Sequence, residues 1–276
     1  MRAYYSASPQ RIARVAAAMI LFSGAISVPY SRAAESRDVE LRAADGVRVF
    51  ADHVRIDGGG DRPILLLFHQ AGSNTTEYAP MLARLGALGF DALAVDSRSG
   101  GRMFNRNNRT VMALGRAQPF DAAYADLQAA LVWAEKAGYS EIVAWGSSYT
   151  AALVFRLAAE YEQVRAVLSF SPGEHLGAGE RVRGYASRVR VPVFVTSAPG
   201  VEVREARRIL DMTDPALVTQ FEPRVGVHGS SALRTDRNPD GFEAYWTAVE
   251  AFLVGPALAT KKPSERVSDP VTESSK

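Results

Sequence analysis

The sequence predicts an α/β protein in which helices cover both faces of a mostly parallel central sheet. Short apolar runs alternate along the chain with segments of helical length, the pattern of strand–helix–strand units. Pro63–His69 (PILLLFH) is apolar throughout, as a central strand buried on both faces must be. Two excursions interrupt the alternation, the first at Ser97–Phe120 and the second at Pro172–Arg190. We expect them to form loops or a short cap at the carboxyl-terminal edge of the sheet.

Local residue patterns assign the individual elements. Apolar and β-branched runs bounded by turn residues are interpreted as strands, and apolar residues at helical spacing are interpreted as helices. The predicted strands are Val39–Arg42, Val47–Ile56, Pro63–His69, Asp91–Val95, Glu141–Trp145, Ala166–Phe170, Pro192–Thr196 and a last short one at Val225 and Val227. The predicted helices are Tyr78–Leu88, Tyr124–Ala137, Tyr149–Tyr161, Val203–Met212 and Gly241–Leu253.

The two ends of the chain differ in composition from its middle. Arginines precede the apolar stretch Val15–Val28, and the small residues Ala33 and Ala34 follow it, an order typical of a secretory signal peptide. A membrane anchor, the alternative, needs roughly 20 apolar residues, more than this stretch has. We therefore expect an exported protein, periplasmic or secreted, without a stable membrane anchor after cleavage near Ala33 or Ala34. The expected parts are a signal peptide at 1–33, a folded domain at 34–255 and a polar tail at 256–276.

Composition excludes several classes of function. The chain has no cysteine, which rules out disulfides, thiolate metal sites and a cysteine nucleophile. Four of its 32 basic residues lie in the expected signal peptide, so 28 remain against 30 acidic residues, a net charge of −2. This charge gives no reason to expect a nucleic-acid partner. The Gly-rich loop Asp57–Asp61 lacks the lysine and the spacing of a phosphate-binding loop.

Residues 145–150 (WGSSYT) join a predicted strand to a predicted helix, a place where many enzymes hold a serine nucleophile on a tight bend. The two backbones pass close together there, so the residues two before and two after the nucleophile must be small. Ser147 would place aromatic residues at both positions, whereas Ser148 places Gly146 and Thr150 there. We therefore predict that Ser148 is the nucleophile. The alternative is a serine that only caps the following helix.

A serine nucleophile needs a base to take its proton and an acid to orient that base. Downstream of Ser148 the chain contains two histidines. His228 comes directly after the last predicted strand and before the last predicted helix, and is therefore the candidate base. His175, with Glu174 beside it, is the alternative.

Glu202 is the candidate acid. It lies on the loop after the predicted strand Pro192–Thr196, from which it can reach the loop that carries His228. Glu205 belongs to the following helix and is expected to matter little. The alternative for Glu202 is a glutamate at a helix start that interacts only with the helix dipole. The remaining acidic residues of this stretch are Asp211, Asp214 and Glu222.

The small-residue turn after the central strand is the expected oxyanion hole. Backbone amides at such a turn can face a developing oxyanion, together with the amide of the residue after the nucleophile. The predicted donors are the N–H groups of Tyr149 and Ala71, with Gln70 as the alternative to Ala71. We expect His69 to brace the turn.

Asp96 and four arginines complete the set of candidate residues. Asp96 ends a predicted strand but precedes the nucleophile, so we expect it to anchor a loop or to pair with Arg98. Arginines 98, 102, 106 and 109 lie in the first excursion, where they either belong to a solvated loop or attract an anionic substrate.

The layout His69-Gln70-x-Gly72, Gly146-x-Ser148-x-Thr150, Glu202 and His228-Gly229 resembles the α/β-hydrolase superfamily. It is most similar to the branch of dienelactone-hydrolase-like proteins and small serine esterases, over roughly residues 38–254. The resemblance implies the α/β-hydrolase fold and hydrolysis of a small-molecule carboxylic ester through an acyl-enzyme, with no metal or other cofactor. The chain departs from dienelactone hydrolases in having serine for cysteine, and glutamate for aspartate as the candidate acid. A peptidase or amidase, and a non-catalytic ligand-binding protein, are the alternatives on this fold.

Overall fold

The computed structural model describes residues 35–55, 62–255 and 258, all of which belong to the unit Arg32–Lys276. The expected signal peptide, and the expected tail apart from residue 258, lie outside the described residues. Within these ranges none of the helices has both the length and the apolar character needed to cross a bilayer.

The described chain alternates between strands and helices as the sequence predicts. Its strands are β1 (Glu35–Arg42), β2 (Arg48–Arg55), β3 (Ile64–Phe68), β4 (Asp91–Asp96), β5 (Arg102–Met103), β6 (Arg106–Asn107), β7 (Ile142–Ser147), β8 (Val164–Phe170), β9 (Val193–Thr196) and β10 (Val218–Phe221). Its α-helices are α1 (Leu82–Ala87), α2 (Arg109–Leu114), α3 (Tyr124–Lys136), α4 (Tyr149–Glu160), α5 (Arg181–Ala186), α6 (Val201–Leu210) and α7 (Phe242–Leu253).

Eight strands form one sheet in the order β1-β2-β4-β3-β7-β8-β9-β10. β1 pairs with β2, and β2 with β4, in antiparallel orientation, and every other pair is parallel. The predicted mostly parallel α/β sheet is therefore confirmed. In such a sheet the carboxyl ends of the parallel strands share one edge, which is the usual position of a ligand site.

The central strand β3 divides the core into two layers. Its residues alternate between the faces, so Ile64 and Leu66 pack into one cluster and Leu65 and Leu67 into the other. Helices α3, α4 and α6 cover the first face, and α1 and α7 cover the second. Burial on both faces explains why the strand is apolar throughout.

The last strand is not where the sequence places it. β10 is Val218–Phe221, which pairs in parallel with β9, whereas Val225 is half exposed in a loop. The β-branched and aromatic residues of β10 carry the strand propensity, and Pro223 follows it. His228 therefore lies on a longer loop after the last strand than predicted.

The helix predicted at Tyr78–Leu88 is also corrected. The segment begins with two 3₁₀ turns, Thr75–Glu77 and Ala79–Met81, and becomes α-helical only at Leu82. Pro80 lies in the second turn, where its missing N–H needs no partner. The break leaves Glu77 in a short turn beneath the loop that follows β3.

The first excursion has regular secondary structure, namely the hairpin β5–β6 and helix α2. Arg98 binds the buried Asp126 at 2.7 Å and also Asp45, and Arg109 binds Asp96 at 2.8 Å. Asp96 is therefore a loop anchor, and its arginine partner is Arg109 and not Arg98.

The arginines of this excursion serve mainly to hold it in place. Arg106 binds Asp52 at 3.0 Å, so it is also matched by a carboxylate, as Arg98 and Arg109 are. Arg102 is exposed and has no ion pair among the described residues. These pairings favour a structural role for the three matched arginines and not an anion-binding patch.

Candidate active site

Ser148 lies on a sharp bend between β7 and α4, which we call the nucleophile elbow. Its backbone has φ 62° and ψ −120°, which is uncommon for any residue other than glycine and stores strain of about 1–3 kcal/mol. Its amide donates to the carbonyl of Phe170 at 2.8 Å, which ties the bend to the neighbouring strand β8. The bend is the geometry that projects a nucleophile from the edge of the sheet.

The structure explains why Gly146 and Thr150 lie two residues before and two residues after Ser148. A Cβ at Gly146 would lie 2.3 Å from the carbonyl oxygen of Thr150, so only glycine fits. Thr150 itself accepts from the Ser147 amide at 2.8 Å and donates to the Phe68 carbonyl at 2.7 Å. Threonine in this position therefore links the ends of β7 and β3, which a glycine would not do.

His228 and Glu202 are brought together at the same edge. His228 Nδ1 lies 3.0 Å from Glu202 Oε1. A carboxylate only accepts hydrogen bonds, so Nδ1 carries the hydrogen and Nε2 keeps its lone pair. That lone pair is what a base needs in order to take a proton from a serine.

Glu202 is in the first turn of α6, which begins two residues earlier than predicted. Gly200, at φ 88°, makes the turn into the helix. One carboxylate oxygen accepts from the Ala198 amide at 3.2 Å, and the other contacts His228. Glu202 therefore lies at the start of the helix and also contacts the imidazole, so it does not interact with the helix dipole alone.

The two groups shift each other's pKa in opposite directions. The hydrogen bond to Glu202 is the main reason why the pKa of His228 is raised, and partial burial opposes it. For Glu202, burial acts to raise the pKa, but the hydrogen bond to His228 and the influence of the Ser171 hydroxyl outweigh it, so the pKa is lowered. Glu202 is thus ionised wherever His228 titrates.

Ser171 supports this pair, and sequence reasoning missed it. It follows β8 with φ 55°, and its hydroxyl accepts from the Gly229 amide at 2.9 Å. The same hydroxyl helps to lower the pKa of Glu202, so it acts on the acid and also holds the loop that carries His228 (the histidine loop, residues 222–231). Its position directly after a parallel strand is the signal that could have identified it.

The turn after β3 is fixed by His69. Its Nε2 accepts from the Ser97 amide at 3.0 Å, so Nδ1 carries the hydrogen and donates to the Gln70 carbonyl at 2.8 Å. A planar trans peptide points its carbonyl and its N–H in opposite directions. Because the Gln70 carbonyl is held by His69, the next amide, that of Ala71, faces the other way.

The amides of the turn differ in availability. The Gln70 N–H donates to Glu77 Oε2 at 3.0 Å and is therefore engaged. The N–H groups of Ala71 and Tyr149 have no acceptor among the described residues. Tyr149 is the first residue of α4, whose dipole adds partial positive charge at this amide.

Ser148 and His228 do not hydrogen-bond each other, and the alternative base His175 is not oriented by Glu174. Neither Ser148 Oγ nor His228 Nε2 has a hydrogen-bond partner among the described residues, although apo sites often have long contacts here. His175 is exposed, and Glu174 caps α5 through the amides of Val182 and Arg183 and does not orient the imidazole. This arrangement gives no support to His175 as the base.

The first excursion is held against the turn that follows β3. The Asn74 side chain donates to the carbonyls of Met103 and Arg106, both at 2.9 Å, and holds the hairpin β5–β6 against the turn. The Gln70 side chain donates to Ser231 at 3.3 Å and thus bridges to the histidine loop. In the described part of the chain, no cluster of three or more His, Asp or Glu side chains could hold a metal ion.

Solved structures resemble this arrangement of strands and helices. An esterase from Pyrococcus furiosus matches with a TM-score of 0.60 and 20% identity over 80% of this chain and 90% of its own. A dienelactone hydrolase from Anabaena variabilis matches with a TM-score of 0.60 and 15% identity, over 79% and 96% of the two chains. A cold-adapted esterase from an Arctic intertidal metagenomic library gives a TM-score of 0.56 and 19% identity, over 79% and 94%.

These likenesses establish the α/β-hydrolase fold. No protein-family model matches the sequence, and no curated protein matches it. A fold alone does not determine an activity, which depends on the side chains of the site.

Proposed function

We propose that this protein is a serine hydrolase that cleaves a carboxylic ester of a small molecule. Ser148 Oγ attacks the ester carbonyl, and His228 Nε2 takes its proton. The amides of Tyr149 and Ala71 hold the oxyanion of the tetrahedral intermediate. The carbon–oxygen bond to the alcohol then breaks, and His228 returns the proton to the leaving alcohol.

Water completes the reaction. His228 removes a proton from a water molecule, and the water oxygen attacks the acyl carbon. The bond from that carbon to Ser148 Oγ then breaks, His228 returns the proton to Oγ, and the acid is released. Glu202 keeps the imidazole in the tautomer with a free Nε2 and stabilises its charged form. No step requires a metal or an organic cofactor.

The main support for the proposal is the contact between His228 Nδ1 and Glu202 Oε1. This oriented histidine lies on a loop that packs against the strained strand–helix bend of Ser148. The Gly229 amide binds Ser171 and the Ser230 amide binds Ser147, so the histidine loop packs against the elbow. The names of the structural neighbours, esterases and a dienelactone hydrolase, agree with acyl chemistry. A binding protein would have no need of this combination.

Burst kinetics with a short-chain p-nitrophenyl ester test the proposal. We expect a burst of p-nitrophenol stoichiometric with the enzyme, followed by slower turnover, because an activated phenyl ester acylates the serine faster than water removes the acyl group. A folded protein that gives neither burst nor turnover is a ligand-binding protein. Faster cleavage of the matched anilide than of the ester would instead favour the amidase or peptidase alternative.

We also propose that the protein is exported and that its signal peptide, residues 1–33, is removed. The proposal rests on the basic start, the short apolar centre and the exit at Ala33 and Ala34. N-terminal sequencing of protein recovered outside the cytoplasm should begin at Ala34 or Glu35. Intact Met1 in the membrane fraction would contradict it.

A further inference from the structure

A second carboxylate lies directly beneath the site. Glu77 is 0% exposed, in the short turn that follows the oxyanion loop, residues 69–73. Among the described residues, no arginine, lysine or histidine side chain binds its carboxylate. Burying an unpaired carboxylate destabilises a folded protein, so stability alone does not explain this residue.

Both carboxylate oxygens are engaged by the loops of the site. Glu77 Oε2 accepts from the Gln70 amide at 3.0 Å, and Oε1 accepts from the Ser147 hydroxyl at 2.7 Å. Ser147 Oγ in turn accepts from the Ser230 amide at 2.8 Å. One side chain thus connects the oxyanion loop, the nucleophile elbow and the histidine loop.

We propose that Glu77 is a positioning residue, whose buried carboxylate fixes the oxyanion loop and, through the Ser147 hydroxyl, the histidine loop against Ser148. This inference rests on the proposed function and names a further residue of the same site. Glu77 contacts no reacting atom. It sets the position of the Ala71 amide by holding Gln70, and the position of His228 by holding Ser230.

The hydrogen-bond pattern requires a carboxylate and not an amide. Two donors, an N–H and an O–H, point at Glu77, so both of its oxygens must accept. Glutamine has one acceptor and one NH₂ group. If its NH₂ faces Gln70, two donors oppose each other; if it faces Ser147, the hydroxyl hydrogen loses its acceptor. Glu77→Gln therefore disturbs one loop in either orientation.

The charge of Glu77 also acts on the base. His228 is faced by Glu202 and Glu205 from α6, by Glu77 from below and by His175 from the second excursion. The hydrogen bond to Glu202 raises the pKa of His228 most, burial opposes it, and the charge of Glu77 raises it further. Removing that charge should lower the pKa of His228.

The test compares Glu77→Gln with the wild type in full kinetic and pH profiles on a p-nitrophenyl ester. We expect kcat to fall by about 10- to 100-fold, as for a small displacement of reacting groups, and KM to change less than about threefold. The acid limb of the pH profile, where kcat/KM rises with pH as His228 loses its proton, should move to lower pH because the pKa of His228 falls. Unchanged activity overturns the proposal, and so does a lower kcat with an unmoved acid limb, since that pattern is a packing defect.

Asp91→Asn is the matched control. Asp91 is another buried carboxylate, but it begins β4 at the opposite edge of the sheet, where it accepts from Tyr139 at 2.8 Å. The variant is expected to lower the melting temperature while leaving the acid limb unmoved. If it moves the limb as Glu77→Gln does, the effect is not specific to the site and the proposal fails.

Two further variants keep the proposal falsifiable if Glu77→Gln does not fold. Ser147→Ala removes the link to the histidine loop and keeps the charge of Glu77, so kcat should fall while the acid limb stays. Unchanged kcat overturns the proposal.

Ser148→Ala distinguishes failure of the proposed function from failure of the inference about Glu77. If the wild type is as inactive as Ser148→Ala, the proposed function fails and this inference falls with it. If only Glu77→Gln behaves as the wild type, the inference alone fails.

Discussion

The site has two layers that use similar residue types for different purposes. The upper layer consists of Ser148, His228 and Glu202, of which the last two are partly exposed, with 43% and 30% of the side chain accessible. The lower layer consists of Ser147 and Glu77, both with 0% exposure. Each layer holds a serine and a glutamate, but only the upper one contains a titratable base.

The two layers differ in whether their serine hydroxyl is free to react. The upper hydroxyl has no hydrogen-bond partner among the described residues and projects from a strained bend, so it is available to react. The lower hydroxyl of Ser147 both donates and accepts, which leaves it no capacity for attack. Adjacent serines thus have opposite roles, and mutations in the two layers should differ accordingly.

The largest effect is expected for Ser148→Ala. Loss of the nucleophile should lower kcat by roughly 10⁴-fold or more, with residual catalysis left by binding and the oxyanion amides. Steady-state hydrolysis of a p-nitrophenyl ester measures it, and the melting temperature should stay about the same, because alanine keeps the Cβ and with it the backbone strain at φ 62°. Retention of a tenth of the activity would place the nucleophile elsewhere.

Glu202→Gln should have the second largest effect. Turnover should fall by about a hundredfold or more, because the imidazole is no longer held in the active tautomer. The base works only when neutral, so kcat/KM rises with pH through the pKa of His228. That pKa is raised mainly by the hydrogen bond to Glu202, so the variant's acid limb should move to lower pH. A pH–rate profile checks both statements, and a limb that moves to higher pH would contradict them.

Ser147→Ala separates the layers. On the crowding argument alone, this side chain has no chemical role, but the structure gives it hydrogen bonds to Glu77 and Ser230. We expect kcat to fall by about three- to tenfold and not further, because Ser230 Oγ still accepts from Trp145 at 2.9 Å and keeps the loop anchored. In a double-mutant cycle with Glu77→Gln, strictly additive losses would show that the two residues act separately.

The smallest effect is expected for Glu205→Gln. Glu205 lies one turn beyond Glu202 on α6 and faces His175 and Gly173, and it does not bind His228. Turnover should change by less than about threefold, the size expected for a surface substitution. A loss as large as that of Glu202→Gln would mean that the orienting acid has been misassigned.

The sequence was informative where local rules determine the structure. Strand–helix alternation predicted the sheet, and the crowding at the bend singled out Ser148, whose backbone strain and glycine neighbour agree with it. The last strand was misplaced because Val225 and Val227 satisfy a local pattern, while pairing with β9 decides the matter. Pairing is a tertiary property that overrides propensity.

The lower layer could not be predicted from the sequence. Glu77, Ser147 and Ser230 are far apart along the chain and meet only when three loops converge. Glu77 has the local appearance of a glutamate at a helix start, and nothing in its neighbours indicates complete burial. Contacts of this kind are set by the fold and not by any motif.

The central claim, that Ser148 and not its neighbour is the nucleophile, is tested most directly by mapping a covalent adduct. The full chain is treated with a fluorophosphonate, digested, and sequenced by tandem mass spectrometry, with heat-denatured protein as the control. We predict one adduct on Ser148, absent from the denatured control and from Ser148→Ala. An adduct on Ser147, or none on a protein that hydrolyses esters, would contradict the account.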